Sequence, residues 1–264
     1  MLAFILRRLV QAAVVMLCVA LIAFMLFQFV GDPVSHLLGQ DATAEQIREA
    51  RDALGLNDSM FVQFWHFLSN AAQGDFGFSL RQGSKVSVLI AERFPATLEL
   101  ALSAAFLALS LGVPMGVYAA LKRGTFSSQV LMTASLLGVS LPTFLIGIVL
   151  ILIFAVNLNW FPSFGRGEVT RLGWWTTGFL TAKGWHHLTL PAITLAIFQL
   201  TLIMRLVRAE MLEVLRTDYI KFARARGLTN RAVHFGHALK NTLVPVMTIS
   251  GLQIGGLIAF AIIT

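Results

Sequence analysis

Polar residues interrupt this chain in blocks, and the apolar stretches between the blocks are long. Leu9–Val30, Ala96–Leu121, Val130–Val156 and Leu243–Thr264 are uninterrupted or nearly so, and a fifth run, Leu188–Val207, breaks only at Arg205 near its end. A helix needs about 20 apolar residues, at about 1.5 Å of rise each, to cross a bilayer, so the pattern predicts five transmembrane helices. An open sheet would leave its edge groups unsatisfied in lipid, and a β-barrel would show short alternating segments instead. The expected fold is an all-α polytopic membrane protein, one domain over residues 1–264. Composition agrees: 57% of residues are hydrophobic, 12% are charged and the mean hydropathy is +0.78, against about 25% charged in a soluble domain.

The polar blocks have patterns of their own. In Gly31–Pro95, Thr43 and Gln46 have the spacing of a capping box. Ile47, Ala50 and Leu54 follow at helical spacing, and Gly55 supplies a stop. A second amphipathic stretch places Phe61, Phe64, Trp65 and Leu68 on one face. These helices are expected on the outer membrane surface or packed against the protein's own spans. Within the spans, Pro114, Pro142, Pro191 and Pro245 are expected to kink the axes. Gly112-x-x-x-Gly116 and Gly251-x-x-x-Gly255 would allow close helix approach.

The net charge of +7 is explained by its placement. Arg208–Thr242 holds seven basic residues against three acidic, and Arg7-Arg8 and Lys122-Arg123 flank other spans. Basic residues gather on the cytosolic side of membrane proteins, so the N-terminus and Arg208–Thr242 are expected in the cytosol. Gly31–Pro95 and Asn157–His187 are then external, although Arg166, Arg171 and Lys183 against Glu168 alone run counter to the rule in the second segment. A nucleic-acid footprint would be expected on a folded soluble face, and no nucleic-acid partner is expected. The first apolar run is too long for the core of a cleaved signal and has no small-x-small site after it, so it is expected to remain as an anchor. Cys18, the single cysteine, excludes an internal disulfide or cysteine metal site. His186-His187 lack further ligands at metal spacing, and no metal site is expected.

The cytosolic stretch contains a short amphipathic helix. Thr217 or Asp218 can cap it; Tyr219, Phe222, Ala223 and Arg226 fall on neighbouring positions, and Gly227 stands where a left-handed turn is needed. From Asp218 to Arg226 the helix would be about 13 Å long, too short to persist alone in water. Ala223 and Ala225 are small enough for a partner to come near. Periodicity leaves two readings open: a docking element for a cytosolic partner, or a helix lying on the membrane with its arginines at lipid phosphates.

The run Asp218-Tyr-Ile-Lys-Phe-Ala-Arg-Ala-Arg-Gly-Leu228, followed by His237-Ala-Leu-Lys-Asn241 and Pro245, resembles the cytoplasmic loop of ABC importer permeases of the dipeptide/oligopeptide/nickel branch. The resemblance covers the chain, through Arg7-Arg8-Leu9, Gly31-Asp32-Pro33, Leu54-Gly55-Leu56, Gly74-Asp75-Phe76-Gly77-x-Ser79 and Pro95-x-Thr97-Leu98. It continues through Ser140-x-Pro142-x-Phe144, Trp160-Phe161-Pro162 with Gly165, and Leu190-Pro191. The broader importer pattern opens with Glu-Ala-Ala and closes with Ile-x-Leu-Pro. Lys221-Phe222-Ala223 and His237-Ala238-Leu239-Lys240 stand there instead, which places the likeness in the peptide branch.

The resemblance implies a type I permease fold, with five helices present and a sixth expected beyond Thr264. It implies a pore subunit of a bacterial or archaeal inner membrane rather than an enzyme. No phosphate-binding Gly-x-x-x-x-Gly-Lys-Ser/Thr loop is present, so ATP would be bound by partners and no cofactor held here. Those partners would be two ATP-binding subunits, a second homologous permease and an external substrate-binding protein. Asp218, Tyr219, Phe222, Ala223, Ala225, Arg226 and Gly227 would form the coupling helix docked on an ATPase, which drives alternating access. Di- or oligopeptides are the expected cargo, with no substrate-binding residue assigned. The alternatives are a secondary transporter or channel, which tends to carry ionisable residues in mid-span, and a membrane scaffold. Glu99 is the one acid within the runs, near an external end, and Gln28, Gln199 and Gln253 are candidates for packing or a pathway.

Overall fold

The computed structural model describes residues 2–30, 43–53, 55–79 and 82–263, which fall into two units, Met1–Ala91 and Glu92–Thr264. Gly31-Asp32-Pro33 and Leu54 lie outside the described residues, as do the side chains of Gln28, Ile47 and Ala50.

In the first unit, helix α1 (Leu2–Val30) starts seven residues ahead of the apolar run and takes in Arg7-Arg8. The expected capping box opens α2 (Ala44–Ala53): Thr43 N donates to Gln46 Oε1 at 3.0 Å, and Gln46 N to Thr43 Oγ1 at 3.4 Å. Gly55, at φ +67°, ends it as expected. In α3 (Met60–Ala72) the predicted apolar face is divided. Phe64 and Phe67 meet Phe24 of α1, with ring centroids 5.5 and 6.0 Å away, whereas Phe61 and Trp65 are exposed. Gly74-Asp75-Phe76-Gly77 forms a tight turn in which Gly77 N donates to Asp75 Oδ1 at 3.0 Å. Strands β1 (Phe78–Ser79) and β2 (Ser84–Lys85) follow, antiparallel, with Phe78 opposite Lys85.

Helix α4 (Val86–Leu121) begins ten residues before its apolar run and continues through Pro95 and Pro114. In the second unit it packs on α7 (Ala182–Val214), which extends six residues before and seven after the predicted span. Gly112 and Gly116 make that approach possible. A Cβ on Gly116 would stand 2.6 Å from Met204 O and 2.7 Å from Val207 Cβ. Gly251 and Gly255 meet nothing within 4 Å, so the second small-residue pattern is not used among the described residues.

The predicted span Val130–Val156 is not one helix. It is α5 (Phe126–Ser140) and α6 (Thr143–Leu150), bent by 103° at Leu141-Pro142. Proline lacks the N–H that would continue the ladder and pushes its predecessor out of the helical region. Helix α6 widens into π turns over Ile151–Asn157, where Leu158 N reaches Ile153 O at 3.0 Å. A second π segment, Ala232–Ala238, leads into α9 (Leu239–Ile263). Among the described residues, four helices are long and apolar enough to cross a membrane, or five with the bent pair taken as one span.

The segment between α6 and α7 is ordered by a buried ion pair and by glycines. It carries a hairpin, β3 (Thr170–Leu172) against β4 (Trp175–Thr177). Arg166 donates through Nη2 to Glu99 Oε2 at 3.2 Å and to Thr176 O at 2.6 Å, and through Nη1 to Thr176 Oγ1 at 2.7 Å. Gly178 N reaches the same Glu99 oxygen at 3.2 Å, and Glu99 is only 4% exposed. Thr181 caps α7 by accepting from Gly184 N at 3.0 Å, and Lys183 pairs with Glu168. A Cβ on Gly184 would lie 2.1 Å from Gly178 O. His186 Nε2 is 2.6 Å from Trp160 O, and His187 Nδ1 is 2.8 Å from Lys183 O, so both histidines are used inside the fold.

Replacing Gly116 by Ala should lower the stability of the purified protein by about 1–3 kcal/mol in thermal unfolding, whereas Gly251→Ala should leave it unchanged; equal effects would remove the α4–α7 contact from its supporting place. Arg166→Ala should leave Glu99 buried without its cation, at a cost of up to about 3–5 kcal/mol. An added protease should then cut the 157–181 segment faster than in the unaltered protein. An unchanged cleavage rate would mean that the pair does not order the segment.

Candidate functional site

The stretch after α7 forms helix α8 (Asp218–Ala225), one residue shorter than the sequence suggests because Arg226 is its C-cap. Thr217 occupies the N-cap position, but its hydroxyl donates back to Val214 O at 2.6 Å and caps nothing in α8. Asp218, in the first turn, supplies the negative charge that suits a helix N-terminus and pairs with Lys221 at 2.8 Å across an exposed surface. At the other end Gly227 N donates to Arg224 O at 2.9 Å and Leu228 N to Ala223 O at 3.4 Å, a Schellman arrangement. It requires a left-handed residue, and Gly227 has φ +79°.

One face of α8 belongs to the protein. Ile220 is fully buried and Ala223 is 6% exposed, in a core with Val207 and Met211 of α7, Val233 and Ala238 of the π segment, and Val246 of α9. Ala223 was expected on the contact surface; the helix turns its methyl inward instead, because periodicity identifies a face but not what the face meets. Tyr219 is tied to the second half of the motif, with Asn241 Nδ2 donating to its hydroxyl at 2.6 Å. Neither partner of that bond reveals the other in sequence, since 22 residues separate them. The outward face carries Phe222 at 65% exposure, Ala225 and Arg226, whose guanidinium stands 5.8 Å over the Phe222 ring. Of the seven residues singled out, six therefore cluster at the tip and outer face of α8, and Ala223 lies beneath them.

Two further clefts lie in the same unit. Arg123, at the end of α4, and Arg208 and Arg216, at the end of α7, line one of about 470 Å³ together with Glu213. The other, about 350 Å³, lies where Leu141-Pro142 breaks the α5–α6 pair, and Gln199 of α7 and Gln253 of α9 line it. Gln199 is 3% exposed. Among the described residues no three metal-ligating side chains stand together.

Comparison with known proteins agrees with this architecture. Residues 112–264 match the family model of the binding-protein-dependent transport system inner membrane component, and residues 1–101 match the model of its N-terminal region. The di/tripeptide transport system permease protein DppB of Pseudomonas aeruginosa is 41% identical over an alignment covering all of this chain and 83% of that protein. A probable peptide ABC transporter permease of Sinorhizobium fredii is 36% identical, over 99% of this chain and 81% of the relative. The glutathione transport system permease protein GsiC of Escherichia coli K12 is 34% identical, over 100% and 81%. These are transport permeases and not enzymes, and the chain, with its membrane-length helices, belongs with them to the inner-membrane permease family of binding-protein-dependent ABC importers, in the peptide branch.

Proposed function

We propose that this chain is one half of the translocation pathway of an ATP-driven importer of small peptides, and that α8 is the element through which ATP hydrolysis moves it. The observation that carries the reading is the division of α8 into two faces. Ile220 and Ala223 seat it on α7, the π segment and α9, and Tyr219 is held by Asn241 of α9. Phe222, Ala225 and Arg226 remain outward. A force applied to the outward face is thereby passed to two long membrane helices at once. A helix this short would not hold its shape in water; the bundle preorganises it for docking.

The partners are two ATP-binding subunits, each receiving one such helix, a second homologous permease and an external substrate-binding protein. ATP binding favours one arrangement of the ATPase pair, so the energy enters as differential affinity for two conformations of the pore. The N-terminus and α8 lie in the cytosol, in keeping with Arg7-Arg8, Lys122-Arg123 and the arginines at the end of α7. The peptide cargo is supported by the di/tripeptide, peptide and glutathione permeases among the relatives.

Gentle purification of the tagged protein from its native membrane should bring down ATPase polypeptides, a second permease and a binding protein; recovery of the chain alone would overturn the proposal. Gly227→Asp should leave the protein in the membrane while ATPase subunits are lost from the complex and uptake stops. No atom lies within 4 Å of a Cβ there, so the defect comes from forcing φ +79° on a side chain, about 1 kcal/mol or more, and from charge at the joint. Phe222→Ala should weaken ATPase association by about tenfold, as loss of an exposed aromatic contact does, without altering thermal stability. Normal uptake by the Gly227 variant would dismiss α8 as the coupling element.

A further inference from the structure

The cleft at the α5–α6 break lies within two long helices and between two short ones. Gln199 stands near the centre of α7, Gln253 lies well inside α9, and Leu141-Pro142 divides the α5–α6 pair. Ser140, Pro142 and Thr143 line it from the break, and Leu195, Phe198 and Leu257 supply apolar wall. Neither Gln199 nor Gln253 has a side-chain hydrogen bond among the described residues, and Ser140 and Thr143 have none either. Gln199 is 3% exposed and lines the cleft.

An unpaired amide at this depth is costly: removing one from water without a partner costs about 1–3 kcal/mol by protein measures and more in hydrocarbon. Two such amides, two hydroxyls and a broken helix at one level are what a polar passage needs, because irregular backbone at membrane depth persists where it lines a cavity. By contrast, Thr194 and Thr201 on the same helix satisfy their hydroxyls on Leu190 O and Ile197 O, at 2.8 and 3.0 Å.

We infer that Gln199 and Gln253, with Ser140 and Thr143, form a mid-membrane subsite that hydrogen-bonds the backbone amide of a passing peptide. Each carboxamide offers a donor pair and an acceptor, the complement of a peptide unit. Because a backbone amide is common to every peptide, the subsite recognises peptides without reading side chains. None of the residues lining it is ionisable, and none is a histidine or cysteine. That suits a neutral polar segment better than a transition-metal ion, which imidazole and thiolate hold more tightly. The inference rests on the peptide-importer reading and names where that cargo is held in transit.

The test is uptake of tritiated dialanine by the complete transporter in proteoliposomes, with ATPase stimulation, subunit stoichiometry and thermal stability measured alongside. Gln199→Leu with Gln253→Leu should lower uptake about tenfold or more, the size expected from losing one or two neutral hydrogen bonds in transit. The complex should keep its subunits, its binding-protein-stimulated ATPase and at least its original stability, since leucine removes an unpaired amide. Gln199→Asn, which keeps the amide, should retain more uptake than Gln199→Leu. Unaltered uptake in the double variant overturns the inference. Loss of the second permease or of stability also overturns it, by showing that the amides bind helix to helix. No dialanine uptake by the unaltered complex overturns the peptide reading itself, and this inference with it.

Discussion

In hydrocarbon a leucine gains nothing by leaving lipid for a neighbouring helix, so a bundle is held by close approach and by polar groups with no better partner. Here the close approach is α4 on α7. Gly112 and Gly116 bring the two backbones to a separation at which a Cβ would touch Leu200 O or Met204 O. Gly138 of α5 and Gly147 of α6 repeat the device against Thr201 and Thr194 of the same α7. Helix α7 is thus the element on which α4, α5 and α6 register. Val207 and Met211, toward its C-terminal end, also seat α8, so that short helix and the helix-to-helix contacts share one rod.

The broken pair follows from the same constraint. A proline inside a spanning helix need not interrupt it: Pro95 and Pro114 sit inside α4, Pro191 inside α7 and Pro245 inside α9. Pro142 stands at a bend of 103°. The bend opens a cleft on α7 and α9 beside Gln199 and Gln253.

At the opposite end of α7 a different solution orders the chain. The 157–181 segment has little apolar core of its own, and its fold comes from Arg166, Glu99 and a set of glycines that let backbone meet backbone. A buried ion pair is a poor source of net stability, but removing one partner leaves an uncompensated charge and is costly. It fixes which residues of the segment meet α4, where Phe94 packs on Trp175, while Phe179 packs on Trp185 of α7.

What the sequence determined by itself is what depends on a few neighbouring residues. Run length announced the spans, the Thr43–Gln46 spacing announced a cap, and Gly227 announced a left-handed turn after a short helix. Each is a local rule, and for the spans the bilayer enforces it, because backbone in hydrocarbon must satisfy its own polar groups. The motif series, too, was legible as far as the family. What the tertiary structure decided is which side of each element finds a partner. It buried Ala223, tied Tyr219 to Asn241 across 22 residues, used Gly112-x-x-x-Gly116 and left Gly251-x-x-x-Gly255 open. It also broke the helix of a single predicted span in two at Leu141-Pro142. Periodicity gives the direction of a side chain about its own axis, but contact needs a second axis, and only packing supplies that.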